Sequence, residues 1–139
     1  MTTRTRKRQK KYFTLAEANA MLPYVRVILR DITELATTLR ERSERIKKLQ
    51  GPGGIDRAHR EELDNLLEES ERDQNKMREY EDELKKLNVE LKDYFQGLID
   101  FPCWMDDREV YLCWKLGEDR VAHWHELDAG FSGRKKIAP

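Results

Sequence analysis

From Val25 onward the apolar positions recur every seven residues. Val25, Ile32, Leu39 and Ile46 form one row, and Ile28, Leu35 and Leu49 form a second. A double row of this spacing marks a helix with a narrow apolar stripe that packs on another helix, so a coiled-coil rod is expected. Arg42 stands where the second row lacks a member, which weakens the seam toward its end. Upstream, Thr14 precedes Glu17 by three residues. This is a capping box, in which the hydroxyl accepts a helical N–H and the carboxylate reaches back to the cap, while Phe13 can staple onto Ala18. A helix start at about Leu15 follows. Pro23 lacks an N–H and crowds the preceding turn. A short first helix ending near Leu22 is therefore expected, with Pro23 opening the next helix or kinking a continuous rod. Gln50-Gly51-Pro52-Gly53-Gly54 ends the helical pattern, because no helix tolerates that density of glycine and proline.

A second rod is expected from about Asp56 to Gln96. Leu63, Ser70, Met77, Leu84, Leu91 and Leu98 make one heptad row, and Leu66, Asp73, Tyr80, Leu87 and Tyr94 the other. At ~1.5 Å per residue it would run about 60 Å. The short loop at 51–55 forces the two rods antiparallel. Residues 23–49 carry seven basic and four acidic side chains, and residues 56–96 carry eight and fourteen, so the rods have opposite net charge. Ser70, Asp73 and Gln74 interrupt the seam. They suit a solvated arm, a tip that meets a partner, or a dimer that completes the packing.

The last forty residues favour strands. Glu109–Leu116 and Arg120–Glu126 are rich in β-formers, and Gly117-Glu118-Asp119 supplies a turn, so a β-hairpin over 108–127 is expected. Pairing Leu116 with Val121 places Val110, Leu112, Trp114 and Leu116 on one face with Val121, His123 and His125. Tyr111, Cys113, Lys115, Ala122, Trp124 and Glu126 take the other. The expected architecture is α+β and mostly α: a long antiparallel coiled-coil helical hairpin, with a short N-terminal helix and a C-terminal β-hairpin packed at its base. Residues 1–11 read as a basic disordered arm and 12–139 as a single domain, comprising a first rod to 50, a second over 56–97 and a tail from 128.

Composition narrows the class. Of 139 residues, 39% are charged and 38% hydrophobic, so one lightly cored domain is expected. No apolar run approaches the ~18 residues of a membrane span, and no secretory leader is expected. Two cysteines, Cys103 and Cys113, then point to reduced thiols and a cytoplasmic location, and exclude a four-cysteine zinc ribbon. Lysines and arginines number 27, as do the acids, but the charges segregate. Arg4, Arg6, Lys7, Arg8, Lys10 and Lys11 form an acid-free arm. Such an arm either holds phosphates by sequence-independent electrostatics or simply solubilises the chain.

Candidate chemistry is sparse. His123 and His125 sit two apart on one strand, so both imidazoles could reach one divalent transition metal, with a third ligand from Asp128, Glu17 or Cys103. The alternative is a pair of packed histidines whose ring nitrogens bond to backbone or carboxylate. Cys113 reads as a small buried hydrophobe. Arg134, after Gly130-Phe131-Ser132-Gly133, could clamp an anion or pair with the helical base. There is no glycine-rich phosphate loop and no HExxH helix, and nothing marks an enzyme.

Tyr12-Phe13-Thr14-Leu15-Ala16-Glu17-Ala18-Asn19-Ala20-Met21-Leu22-Pro23 resembles the opening of a bacterial and archaeal family catalogued as domain of unknown function 2203. Gly97-Leu98-Ile99-Asp100-Phe101-Pro102 is similar to its central motif. Arg108 through Glu118, continued by Trp124-His125-Glu126 and Gly130 through Arg134, is similar to its C-terminal signature. The resemblance spans the chain after the basic arm and implies no activity. Three functions are then open. The first is a non-catalytic interaction or scaffolding protein, whose exposed helical hairpin meets a protein partner or a second copy in a dimer. The second is a metal- or small-ligand-binding module at the base. The third is a nucleic-acid accessory protein acting through Arg4, Arg6, Lys7 and Arg8 with Arg134.

Overall fold

The structure, a computed structural model, describes residues 10–137, so Arg4, Arg6, Lys7 and Arg8 lie outside the described residues. The expected capping box is present: Thr14 Oγ1 accepts from the Glu17 N–H at 3.1 Å, and Glu17 accepts from the Thr14 N–H at 2.9 Å. It opens α1, Leu15–Leu49. This helix is continuous, with Pro23 inside it, so no separate short helix ends at Leu22. One missing backbone bond is outweighed by Leu22 and Val25, which are buried on either side of the proline. After the Gly51–Gly54 turn, Asp56 caps α2, Arg57–Lys86, accepting from the His59 N–H at 2.8 Å.

The second rod is shorter than its heptads suggest. Leu87 caps α2 and Asn88 follows with φ +64°, a left-handed C-cap of the kind asparagine tolerates. The chain then enters a five-stranded antiparallel sheet in sequential order. Its strands are β1 Glu90–Asp93, β2 Leu98–Met105, β3 Arg108–Lys115, β4 His123–Glu126 and β5 Lys135–Lys136. Leu91 and Leu98, read as helical, are strand residues. Phe101 and Pro102, in the stretch between the expected second rod and the expected β-hairpin, lie within β2. The fold is therefore α+β, with two strands before the expected hairpin and a short one after it.

The buried stripe of α1 is Ala18, Leu22, Val25, Leu29, Ile32 and Ala36. It packs with Met77 and Leu84 of α2 and with Ile99, Phe101, Val110, Leu112 and Trp114 of the sheet. Ile28, Leu35 and Leu39 are only half-buried, because α1 serves two neighbours and its buried stripe turns toward the sheet. At the seam position that lacks an apolar residue, Arg42 Nη1 donates to Asp73 Oδ2 of α2 at 2.9 Å, and Arg45 pairs with Glu62. Asn19 fastens the start of α1 to the strand approach, accepting from the Val121 N–H at 2.7 Å.

The register of β3 with β4 differs from expectation by one residue: Cys113 pairs with His123 and Tyr111 with His125. A one-residue slip moves every side chain to the opposite face. Val110, Leu112 and Trp114 keep the helix-packed face, but His123 and His125 join Tyr111 and Cys113 on the outer one. The cause is the connection, which runs from Leu116 to Ala122 and is too long to fix the register a tight turn would.

Candidate functional site

On the outer face, three adjacent strands each contribute one group. β2 places Asp100 opposite Cys113 of β3, and His125 of β4 is one pleat further along. Asp100 and His125 are only 3% and 2% exposed, and Cys113 is fully buried. Two polar groups at such depth require partners. His125 Nε2 lies 3.0 Å from Asp100 Oδ1, and Nδ1 lies 2.7 Å from the Glu126 carbonyl oxygen.

A carbonyl only accepts, so Nδ1 carries a proton and donates it. One further proton then lies between Nε2 and the Asp100 carboxylate. Burial pushes the Asp100 carboxyl above its usual range, and the bond to His125 offsets only part of that rise. The ligand atoms of Asp100, Cys113 and His125 all lie within 4.8 Å of one another.

Burial, with the Asp100 carboxylate nearby, pushes the Cys113 thiol up to about 11, so little thiolate forms at neutral pH and the sulfur is a poor nucleophile. Arg134 Nη1 approaches the sulfur at 4.0 Å while both its terminal nitrogens bond Glu118. Arg134 thus pairs with Glu118, beside the thiol and away from the helical base. His123 is half-buried, and its Nδ1 lacks a protein partner. A recess of ≈ 360 Å³ reaches Asp100 and His125 and is lined also by Lys92, Tyr111, Asp128 and Phe131.

Of the residues expected to bind metal, His125 belongs to this cluster, with His123 on the same face and Asp128 on the recess wall. Glu17 is held in its capping box. Cys103 pairs with Val110 on the helix-packed face and is buried in the core, away from the histidines. The sequence reading missed Asp100 because it fell between the expected second rod and the expected β-hairpin, and it set Cys113 on the face opposite the histidines. Alternation along Leu98–Cys103, with a lone acid between Ile99 and Phe101, was the available signal.

No helix among the described residues is long and apolar enough to cross a membrane. No curated protein matches the chain, and no solved structure does. Residues 11–137 match the family model described as an uncharacterized conserved protein, DUF2203, covering every strand of the sheet and the cluster upon it, and the chain belongs to that family.

Proposed function

We propose that the protein is a metal-binding module with one divalent transition-metal ion, zinc foremost, held by Asp100, Cys113 and His125. The observation that carries this reading is the convergence of a carboxylate, a thiol and an imidazole within 4.8 Å in a buried place. Nitrogen, sulfur and oxygen at one point form a donor set that zinc accepts. Tetrahedral zinc sets its ligand atoms roughly 3.3–3.8 Å apart, so the widest pair closes by about 1 Å. The Nδ1–H donated to the Glu126 carbonyl is the outer bond that orients a ligating imidazole and leaves Nε2 for the metal. Binding replaces the proton between Nε2 and Asp100 and the thiol proton, and Arg134 beside the sulfur favours the thiolate. Three protein ligands leave a fourth position to water or a small ligand from the recess, the composition of a working centre rather than a closed structural one.

A second reading rests on the Arg42–Asp73 pair. Two polar seam positions, one on each helix, answer one another within a single chain, which supports an antiparallel coiled-coil hairpin whose outer faces are free to meet a protein partner.

The metal reading is tested on protein purified without a metal-binding tag, by elemental mass spectrometry. About one equivalent of zinc is expected, falling below roughly a tenth in Cys113→Ala and His125→Ala. Cobalt(II) titration of the unmodified chain should give a thiolate charge-transfer band, which Cys113→Ser lacks. Absence of both signals in the unmodified chain ends the proposal.

A further inference from the structure

Asp100 of β2, Cys113 of β3 and His123 of β4 stand in one row across the outer face, since Cys113 is the cross-strand partner of both. Directly opposed residues start with Cβ atoms roughly 4.5–5.5 Å apart, so the His123 ring begins beside the thiol. His125 follows two residues along β4 on the same face. The two histidines are held differently. Both ring nitrogens of His125 are engaged, by Asp100 and by the Glu126 carbonyl. His123 Nδ1 is closed off from solvent without a hydrogen-bond partner, and among the described residues it is the one buried side-chain nitrogen or oxygen in that state. An unpaired polar atom at such depth is destabilising. The polar groups beside the thiol do not relieve it. Arg134 is committed to Glu118, and Glu118 also accepts from the Lys115 N–H.

We propose that His123 is an exchangeable fourth ligand of the metal, a role that rests on the metal reading and supplies that centre with its regulation. Nδ1 closes the open position when the recess is empty and yields it to an incoming small ligand. A second imidazole completes a four-coordinate set that zinc accepts. His123 stands outside the three residues whose ligand atoms lie within 4.8 Å of one another, so its ring must turn to reach the ion. It is free to do so. The residue is half-buried, no hydrogen bond fixes Nδ1, and on its far side β4 meets only the two residues of β5. The same freedom makes the bond reversible, whereas His125, oriented by the Glu126 carbonyl, stays in place.

His123→Leu separates this role from a structural one. In urea the metal-free variant should be at least as stable as the unmodified chain, because the unpaired nitrogen is gone. Cobalt(II) should keep its thiolate charge-transfer band, but with affinity lowered about tenfold if the ring holds the position about nine-tenths of the time. Thiocyanate should then bind the cobalt-loaded variant tighter than the loaded unmodified chain by about the same factor, since it no longer competes with the ring. His123→Phe, which keeps the shape of a ring, should behave likewise. A charge-transfer band missing from the unmodified chain ends the metal reading and this role with it. A band present in both proteins, with equal cobalt affinity or equal thiocyanate binding, overturns the role of His123 alone. Metal-free variants clearly less stable than the unmodified chain make the ring structural and overturn it as well.

Discussion

Asp100 and His125 illustrate what a buried polar side chain demands: each is the other's partner, and the backbone carbonyl of Glu126 takes the remaining ring N–H. Glu118 and Arg134 satisfy one another in the same way with their side chains 22% and 17% exposed. Burial alone would raise the Glu118 carboxyl; the Arg134 guanidinium and the Lys115 N–H overcome it and hold the group below the usual carboxylate range. A depressed folded-state pKa contributes stability that is complete above the unfolded value near 4.5 and is lost as pH falls through the folded one. Glu118→Gln should therefore destabilise the protein by about 1–2 kcal/mol at pH 7. In urea denaturation the difference should shrink steadily below about pH 4. A constant gap across pH would show that the ion pair is not its source. In the sequence, the anion-clamping reading of Arg134 came from glycines around it. Its actual partner could not be seen, because Glu118 meets it only after the long 116–122 connection folds back.

At the level of elements, what was legible followed from local chemistry. The Thr14–Glu17 box and the glycine-rich break act within a few bonds of themselves, and each is where the pattern put it. What failed depended on distant partners. Leu84, Leu91 and Leu98 keep heptad spacing although only Leu84 is helical, since strand residues seven apart mimic a seam by chance. Asn88, in its left-handed conformation, was the available stop signal. The exact pairing of β3 with β4 needed the loop length. The polar seam positions of the two helices are likewise understood only together. Asp73→Ala leaves the Arg42 guanidinium, 12% exposed, without its carboxylate and should cost about 1–3 kcal/mol. Arg42→Leu combined with Asp73→Leu should be neutral or stabilising. Chemical denaturation of the three proteins checks this, and a double variant as weak as the single one would refute it.

For the whole molecule, the helices cover one face of the sheet, which leaves the ends of the strand order to be managed. β5 is two exposed lysines, and β1 is short with a register irregularity between Leu91 and Asp93; charge, brevity and bulging all discourage further pairing. β1 meets only Leu98–Asp100, so on that side the outer half of β2 has no strand beside it, while β3 pairs along its other side. There the Phe13 N–H donates to the Pro102 carbonyl at 2.7 Å, and Pro102 has no N–H of its own to offer on that side. Deleting residues 1–13 removes this cover and the Phe13 ring that packs on Phe101 at 5.2 Å. Light scattering should then show concentration-dependent association that the full chain lacks, with helical circular dichroism largely kept. The same hydrogen bond thus occupies a stretch of strand edge that would otherwise stand bare, and a protease that trimmed the chain just ahead of Thr14 would uncover it.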